Sequence, residues 1–235
     1  MPVRHALPKI AAMVARPRSL KMGRVLAALL WLALLWPGSA TQAWDSERMQ
    51  IAARRIGGQA VNATRALQDM MNGVLRQDDG GKLEAVNQFY NRQVRFGEDI
   101  DVWGLVDYWA SPIEMLGQGQ GDCEDYAIGK YFTLVALGMP TAKLRLVYVR
   151  ATVGGAVQAH MVLAYYASPG AEPLILDNLI GELRPASRRP DLAPVFSFNS
   201  DGLWQGTGSQ TAGDPLARMS RWREVLAKAR AEGFQ

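Results

Sequence analysis

The chain has 235 residues, 49% of them hydrophobic, with a formal net charge of +4. That apolar content is enough for a sizeable core and excludes wholesale disorder. The basic excess lies at the front. Residues 1–43 hold six Lys/Arg and no acid, and the remainder has 20 basic against 22 acidic residues, a net charge of −2. The body of the chain thus offers no electrostatic case for nucleic acid as a partner.

The front segment reads as an export signal. A basic stretch leads into "VLAALLWLALLW", Val25 to Trp36, and then "PGSATQA". The apolar run suits a signal-peptide core and is short for a bilayer span. Cleavage is expected after Ala43, with Ala40 as second choice, and Met22 is an alternative start. An uncleaved anchor is the competing reading, against which the short run weighs. Residues 1–43 are therefore read as signal peptide, and 44–235 as one exported α+β domain.

Residues 44–79 carry apolar positions at helical spacing, among them Met49, Ile56, Leu67, Met71 and Val74. Gly57-Gly58 divides this segment and "QDDGG" ends it. A second helix is expected from Lys82 to Val94, and Phe96–Gly121 is expected to be mostly loop. A buried helix then runs from Asp122 to Leu137, stopped by "GMP". Strands are expected at Lys143–Val149, His160–Tyr166, Pro173–Leu179 and Pro194–Asn199. "DGLWQGTGSQTAGDP" reads as a flexible loop, and a last helix spans Leu216–Ala231. Residues 205–235 form the loop-and-helix tail of the domain.

The chain has one cysteine, Cys123, and two histidines, of which His5 lies in the signal and His160 in the body. An exported chain with a lone thiol holds a liability, an intermolecular bridge or a nucleophile. A nucleophilic cysteine needs a base, for which histidine is suited, and the base needs an acceptor to fix its tautomer. If strands 160–166 and 174–179 fold back around "ASPGAEP" with Leu163 facing Leu174, His160 falls opposite Asp177. A one-residue slip brings up Asn178 instead. Cys123 opens a helix, where the macrodipole and unpaired N–H groups favour a thiolate and can stabilise an oxyanion.

Asp122, Glu124 and Asp125 crowd that thiol. As helix-start acids they need no further explanation. Three carboxylates beside a thiol that must ionise also suit an oxygen-coordinated Ca²⁺. Spacing alone leaves both readings open, as it leaves open whether Cys123 and His160 are merely core residues.

The segments "GQGDCEDYAIGKYFTL", "KLRLVYV", "AHMVLAYY", "PLILDNL" and "LRPASRRPDLAPVFSFN" resemble the bacterial transglutaminase-like cysteine proteinases. The likeness is close over residues 80–204. It implies a papain-like or transglutaminase-like fold, with N-terminal helices and a central nucleophile-bearing helix packed on an antiparallel sheet. It implies a Cys123–His160–Asp177 triad and a calcium dependence with Asp122, Glu124 and Asp125 as ligands. It further implies cleavage of a large repeat-rich surface adhesin near its N-terminus, at a di-alanine site, with dispersal of the biofilm. An inner-membrane cyclic-di-GMP receptor would sequester the protease through its periplasmic domain. An acyl transferase of transglutaminase type, or a non-catalytic calcium-dependent binding module, are the alternatives.

Overall fold

The computed structural model describes residues 44–234, so the expected signal, residues 1–43, lies outside the described residues. Among these, no helix is long and apolar enough to cross a membrane.

Three helices come first. α1 (Ser46–Ile56) starts at Asp45, whose carboxylate accepts the Glu47 and Arg48 N–H groups, and α2 (Gly58–Val74) follows after one glycine. α3 (Asp79–Gln93) begins earlier than expected, because the Asp78 side chain caps it by accepting the Gly81 N–H. The "QDDGG" acids are thus a start signal as well as a stop.

The stretch expected to be mostly loop holds two short helices, α4 (Asp99–Val102) and α5 (Pro112–Gln118). It also holds two short strands, β1 (Arg95–Phe96) and β2 (Gln120–Gly121), paired in parallel. Ser111 and Glu114 close a capping box around the first turn of α5, with Pro112 at its start. Next comes α6 (Cys123–Ala136), buried along most of its length, including Tyr126, Ile128, Tyr131 and Leu134.

β3 (Leu144–Val153) and β4 (Ala156–Tyr165) form a hairpin paired over all ten residues of each strand. Its two-residue turn is Gly154-Gly155, both at positive φ, 59° and 84°, as a turn matched to strand twist requires. The other strands are β5 (Leu174–Leu176), β6 (Arg184–Pro185), β7 (Leu192–Phe198), β8 (Leu203–Gln205) and β9 (Thr211–Gly213). All join one antiparallel sheet of order β6-β5-β4-β3-β7-β8-β9. β8 and β9 lie in the glycine-rich stretch expected to be a flexible loop.

Met161, Leu163 and Tyr165 of β4 point into the main core with α6, while Val162 and Ala164 join a smaller cluster on the other face. The tail continues as α7 (Pro215–Arg218) and α8 (Ser220–Ala231). Trp222 is fully buried and stacks on Phe132 of α6, 5.6 Å between ring centroids. The Asp45 N–H bonds to Gly233 O at 2.8 Å, so α8 and the first helix share one core.

The expected hairpin register is corrected. Leu163 pairs with Leu176, Ala164 with Ile175 and Tyr165 with Leu174, a slip of two residues from Leu163 facing Leu174. Side chains alternate with period two, so a two-residue slip keeps every side chain on its expected face. His160 and Asp177 stay on the face of Val162 and Ile175, now diagonal to each other instead of directly opposed.

Candidate active site

His160 lies on β4 and is 3% exposed. Its Nε2 is 2.8 Å from Asp177 Oδ1. The imidazole, meeting the carboxylate through its far nitrogen, takes the diagonal reach available to aromatic side chains on one sheet face. Asp177 Oδ1 also accepts the Leu179 N–H at 3.1 Å, and Asp177 Oδ2 accepts from Arg189 Nη2 at 2.6 Å. Burial works to raise this carboxyl, but the His160 and Arg189 bonds and charges win and hold it at about 2. An ionised Asp177 selects the tautomer with the proton on Nε2, leaving Nδ1 with a free lone pair. Asn178, the alternative acceptor, lies beside this cluster with its Oδ1 buried and unpartnered. The imidazole's bond goes to Asp177.

Arg189 is a member the sequence reading missed. It is 3% exposed and forks between Asp177 and Asp191, with Nη2 2.8 Å from Asp191 Oδ2. "SRRPD" contained the signal, since a guanidinium two residues before an acid can bridge it to a second carboxylate. Behind the pair, Lys130 of α6 is fully buried with its Nζ unpartnered among the described residues. Burial brings its ammonium down to about 7 while Asp177 pulls it back up.

Cys123 opens α6. The Met161 N–H, in the peptide that follows His160, acts on its sulfur and favours the thiolate. The stronger influences run the other way. Burial first, then the Glu124 and Asp122 carboxylates, push the thiol far above its ordinary range, and Sγ donates to Glu124 Oε2 at 3.0 Å. The surroundings without a cation therefore keep the thiol protonated.

The acids extend further than the three expected. Asp99, Asp122 and Asp125 bring carboxylate oxygens within 4.8 Å of one another, as do Asp99, Asp107 and Glu124. Asp122 occupies the N-cap position of α6 yet makes no side-chain capping bond, and its Oδ1 is buried without a partner. Asp125 Oδ1 accepts the Ala110 N–H at 2.7 Å, and its Oδ2 is left unpartnered. Asp99 bonds the Tyr108 N–H through Oδ2 and leaves Oδ1 unpartnered. Burial, then Glu124, Asp125 and Asp99, raise Asp122 to about 10. Burial likewise lifts Asp125 and Asp99. Gly121 is required here, because a Cβ on it would lie 2.8 Å from Asp125 Oδ2.

Orphaned, buried carboxylate oxygens converging from two chain segments fit a hard cation. Asp122, Glu124 and Asp125 belong to this cluster as expected. Asp99 and Asp107 were missed because 15 or more residues separate them from Asp122. The acid-rich "GEDID" was a local signal for Asp99, and Asp107 had none.

A cysteine at the head of a buried helix, packed on an antiparallel sheet that carries a His–Asp pair, defines the class of transglutaminase-like cysteine proteinases. The family model described as "bacterial transglutaminase-like cysteine proteinase BTLCP" matches residues 60–190. The EGTA-treated structure of Legionella pneumophila LapG is 38% identical to this chain, covers 79% of it and 97% of its own length, and has a TM-score of 0.70. The calcium-bound structure of the same protein is also 38% identical, covers 78% of this chain and 98% of its own, and scores 0.67. No curated protein sequence matches the chain. The chain belongs to the bacterial transglutaminase-like cysteine proteinases.

Proposed function

We propose that this proteinase is a calcium-dependent, exported endopeptidase in which Cys123 is the nucleophile, His160 the base and Asp177 the group that orients it. The buried His160–Asp177–Arg189 chain carries this reading, since its hydrogen bonds fix one imidazole tautomer and leave Nδ1 free to serve a helix-start cysteine. Cys123 attacks the scissile carbonyl and gives its proton to His160 Nδ1. The Cys123 backbone N–H, at the positive end of α6, stabilises the oxyanion. His160 then passes the proton to the leaving amine, a new N-terminus departs, and water activated by His160 opens the thioester. Asp177 stays ionised throughout.

Asp99, Asp107, Asp122, Glu124 and Asp125 would hold Ca²⁺. When bound it supplies positive charge that offsets the carboxylates facing the thiol. The calcium-bound LapG structure, of a protein 38% identical, supports the choice of metal.

The substrate proposed is the N-terminal region of a large repeat-rich surface adhesin, cut to release it and disperse the biofilm. The periplasmic domain of a cyclic-di-GMP receptor is proposed as the sequestering partner. These finer assignments rest on the family resemblance. The test is incubation of the mature protein with the adhesin N-terminal region, with calcium or with a chelator, followed by mass spectrometry of the products. Two fragments with a new free carboxylate, formed only with calcium, are expected. Intact substrate in both arms, or an amine-linked product, overturns the reading.

A further inference from the structure

We propose that the free half-edge of β4, Ala156–Ala159, receives the substrate polypeptide as an added β-strand leading to Cys123. The inference rests on the endopeptidase reading and names how that site takes its substrate.

β3 covers one side of β4 along all ten residues, whereas β5 covers the other side only at Leu163, Ala164 and Tyr165. Ala156–Val162 have no strand on that side among the described residues. The Tyr166 N–H donates to Lys143 O at 2.8 Å, on the β3 side. Backbone groups alternate sides along a strand, and β4 pairs with β3 without a bulge. Even-numbered residues of β4 therefore turn their N–H and C=O toward β3, and Val157, Ala159 and Met161 turn theirs away. Consistently, the Met161 N–H acts on the Cys123 sulfur. Val157 and Ala159 are left with two N–H groups and two carbonyls that meet no backbone partner among the described residues.

Natural sheets protect such edges with charge, proline or a bulge. "AVQA" has none of these, and all four residues are exposed, Val157 at 67%. The unprotected edge ends at His160 and the thiol. A polypeptide paired with Ala159 and Val157 gains backbone hydrogen bonds and delivers its next peptide carbonyl to the sulfur. Strand addition reads backbone first and alternate side chains second, and small Ala156 and Ala159 leave room for a close approach.

The experiment uses the calcium-loaded mature protein and a synthetic peptide centred on an Ala-Ala bond, with single N-methyl groups placed in turn along its backbone. Pairing with β4 predicts that every second N-methyl group lowers kcat/KM about tenfold, the equivalent of one lost hydrogen bond, while the positions between are tolerated. A flat or non-alternating scan on a peptide that is cleaved overturns strand addition and leaves the endopeptidase standing. An uncleaved parent peptide overturns the endopeptidase, and the edge is then judged by amide exchange in Cys123→Ala with the same peptide. Slowed exchange at Val157 and Ala159 upholds the edge; unchanged exchange rejects it. Concentration-dependent dimers without peptide, with those same amides protected, also reject it, because the edge then pairs copies of the chain.

Discussion

Arg189→Met probes the electrostatic support of the His160–Asp177 pair. Methionine keeps an unbranched side chain but removes the guanidinium. Asp191 loses a bond at 2.8 Å, yet its side chain is 32% exposed and turns to water. Asp177 loses a bond at 2.6 Å and cannot turn, because its side chain is 0% exposed. Removing one partner of a buried ion pair costs about 3–5 kcal/mol. Asp177 keeps its bonds from His160 and Leu179, so the lower end applies. The shift of its carboxyl from 3.8 to about 2, in which His160 shares, corresponds to about 2 kcal/mol of net stabilisation, similar in size. The sign follows from proton binding: a carboxyl depressed in the folded state adds stability above about pH 4 and loses it as pH falls toward 2. Arg189→Met, Asp177→Asn and the double variant are compared by urea unfolding at neutral pH. The expected coupling is about 2 kcal/mol, with the double variant destabilised less than the sum of the singles. Arg189→Met should also lower kcat more than it raises KM, with Arg189→Lys restoring part of the loss. Additivity within about 0.5 kcal/mol, with unchanged kcat, would refute the claim that Arg189 steadies the pair.

Without calcium, the raised carboxyls of Asp99, Asp122 and Asp125 make the folded chain bind more protons than the unfolded one. Stability without metal should then fall as pH rises above about 4, continuing toward the Asp122 value near 10, and calcium should raise Tm more at pH 8 than at pH 5. A chelated protein that melts higher at pH 8 than at pH 5 contradicts this. Asp99→Asn should raise the Tm of the metal-free protein by about 3 °C, for roughly 1 kcal/mol of relieved repulsion. The same change should weaken calcium binding by titration calorimetry, and unchanged affinity removes Asp99 from the ligand set. Glu232, raised to about 7 by burial, accepts from Ser111 Oγ and from the Ile113 N–H at the head of α5. Glu232→Ala should cost about 1–3 kcal/mol in urea unfolding; no loss means that the tail does not brace α5.

The regular elements were legible where one period dominated. α6 falls close to its expected bounds because a long apolar run leaves little choice, whereas β3 and β4 each run four residues past theirs, to Val153 and from Ala156, and meet at a Gly154-Gly155 turn that the sequence reading missed. The register of β5 on β4 was not legible, since sequence could not say how much of "ASPGAEP" is turn. The face assignment survived that error because a slip of two preserves side-chain parity. The segment before Cys123, expected to be mostly loop, holds α5, whose start "SPIE" spells as a capping box. Within the site, Asp177 was found because it is near His160 along the sheet. Asp99, Asp107 and Arg189 reach the site through turns whose path no local pattern fixes. The helical tail was expected, but its packing was not: only the structure brings Trp222 and Glu232 against α6 and α5.

The most direct measurement is the rate of Cys123 alkylation by iodoacetamide against pH in the calcium-loaded protein, for wild type and His160→Ala. If imidazole and thiol share a proton, the wild type reacts at a lower pH than the variant, and Asp177→Asn falls between them. Superimposable profiles for wild type and His160→Ala would mean that the histidine does nothing for the sulfur, and the proposed catalytic machinery would be wrong.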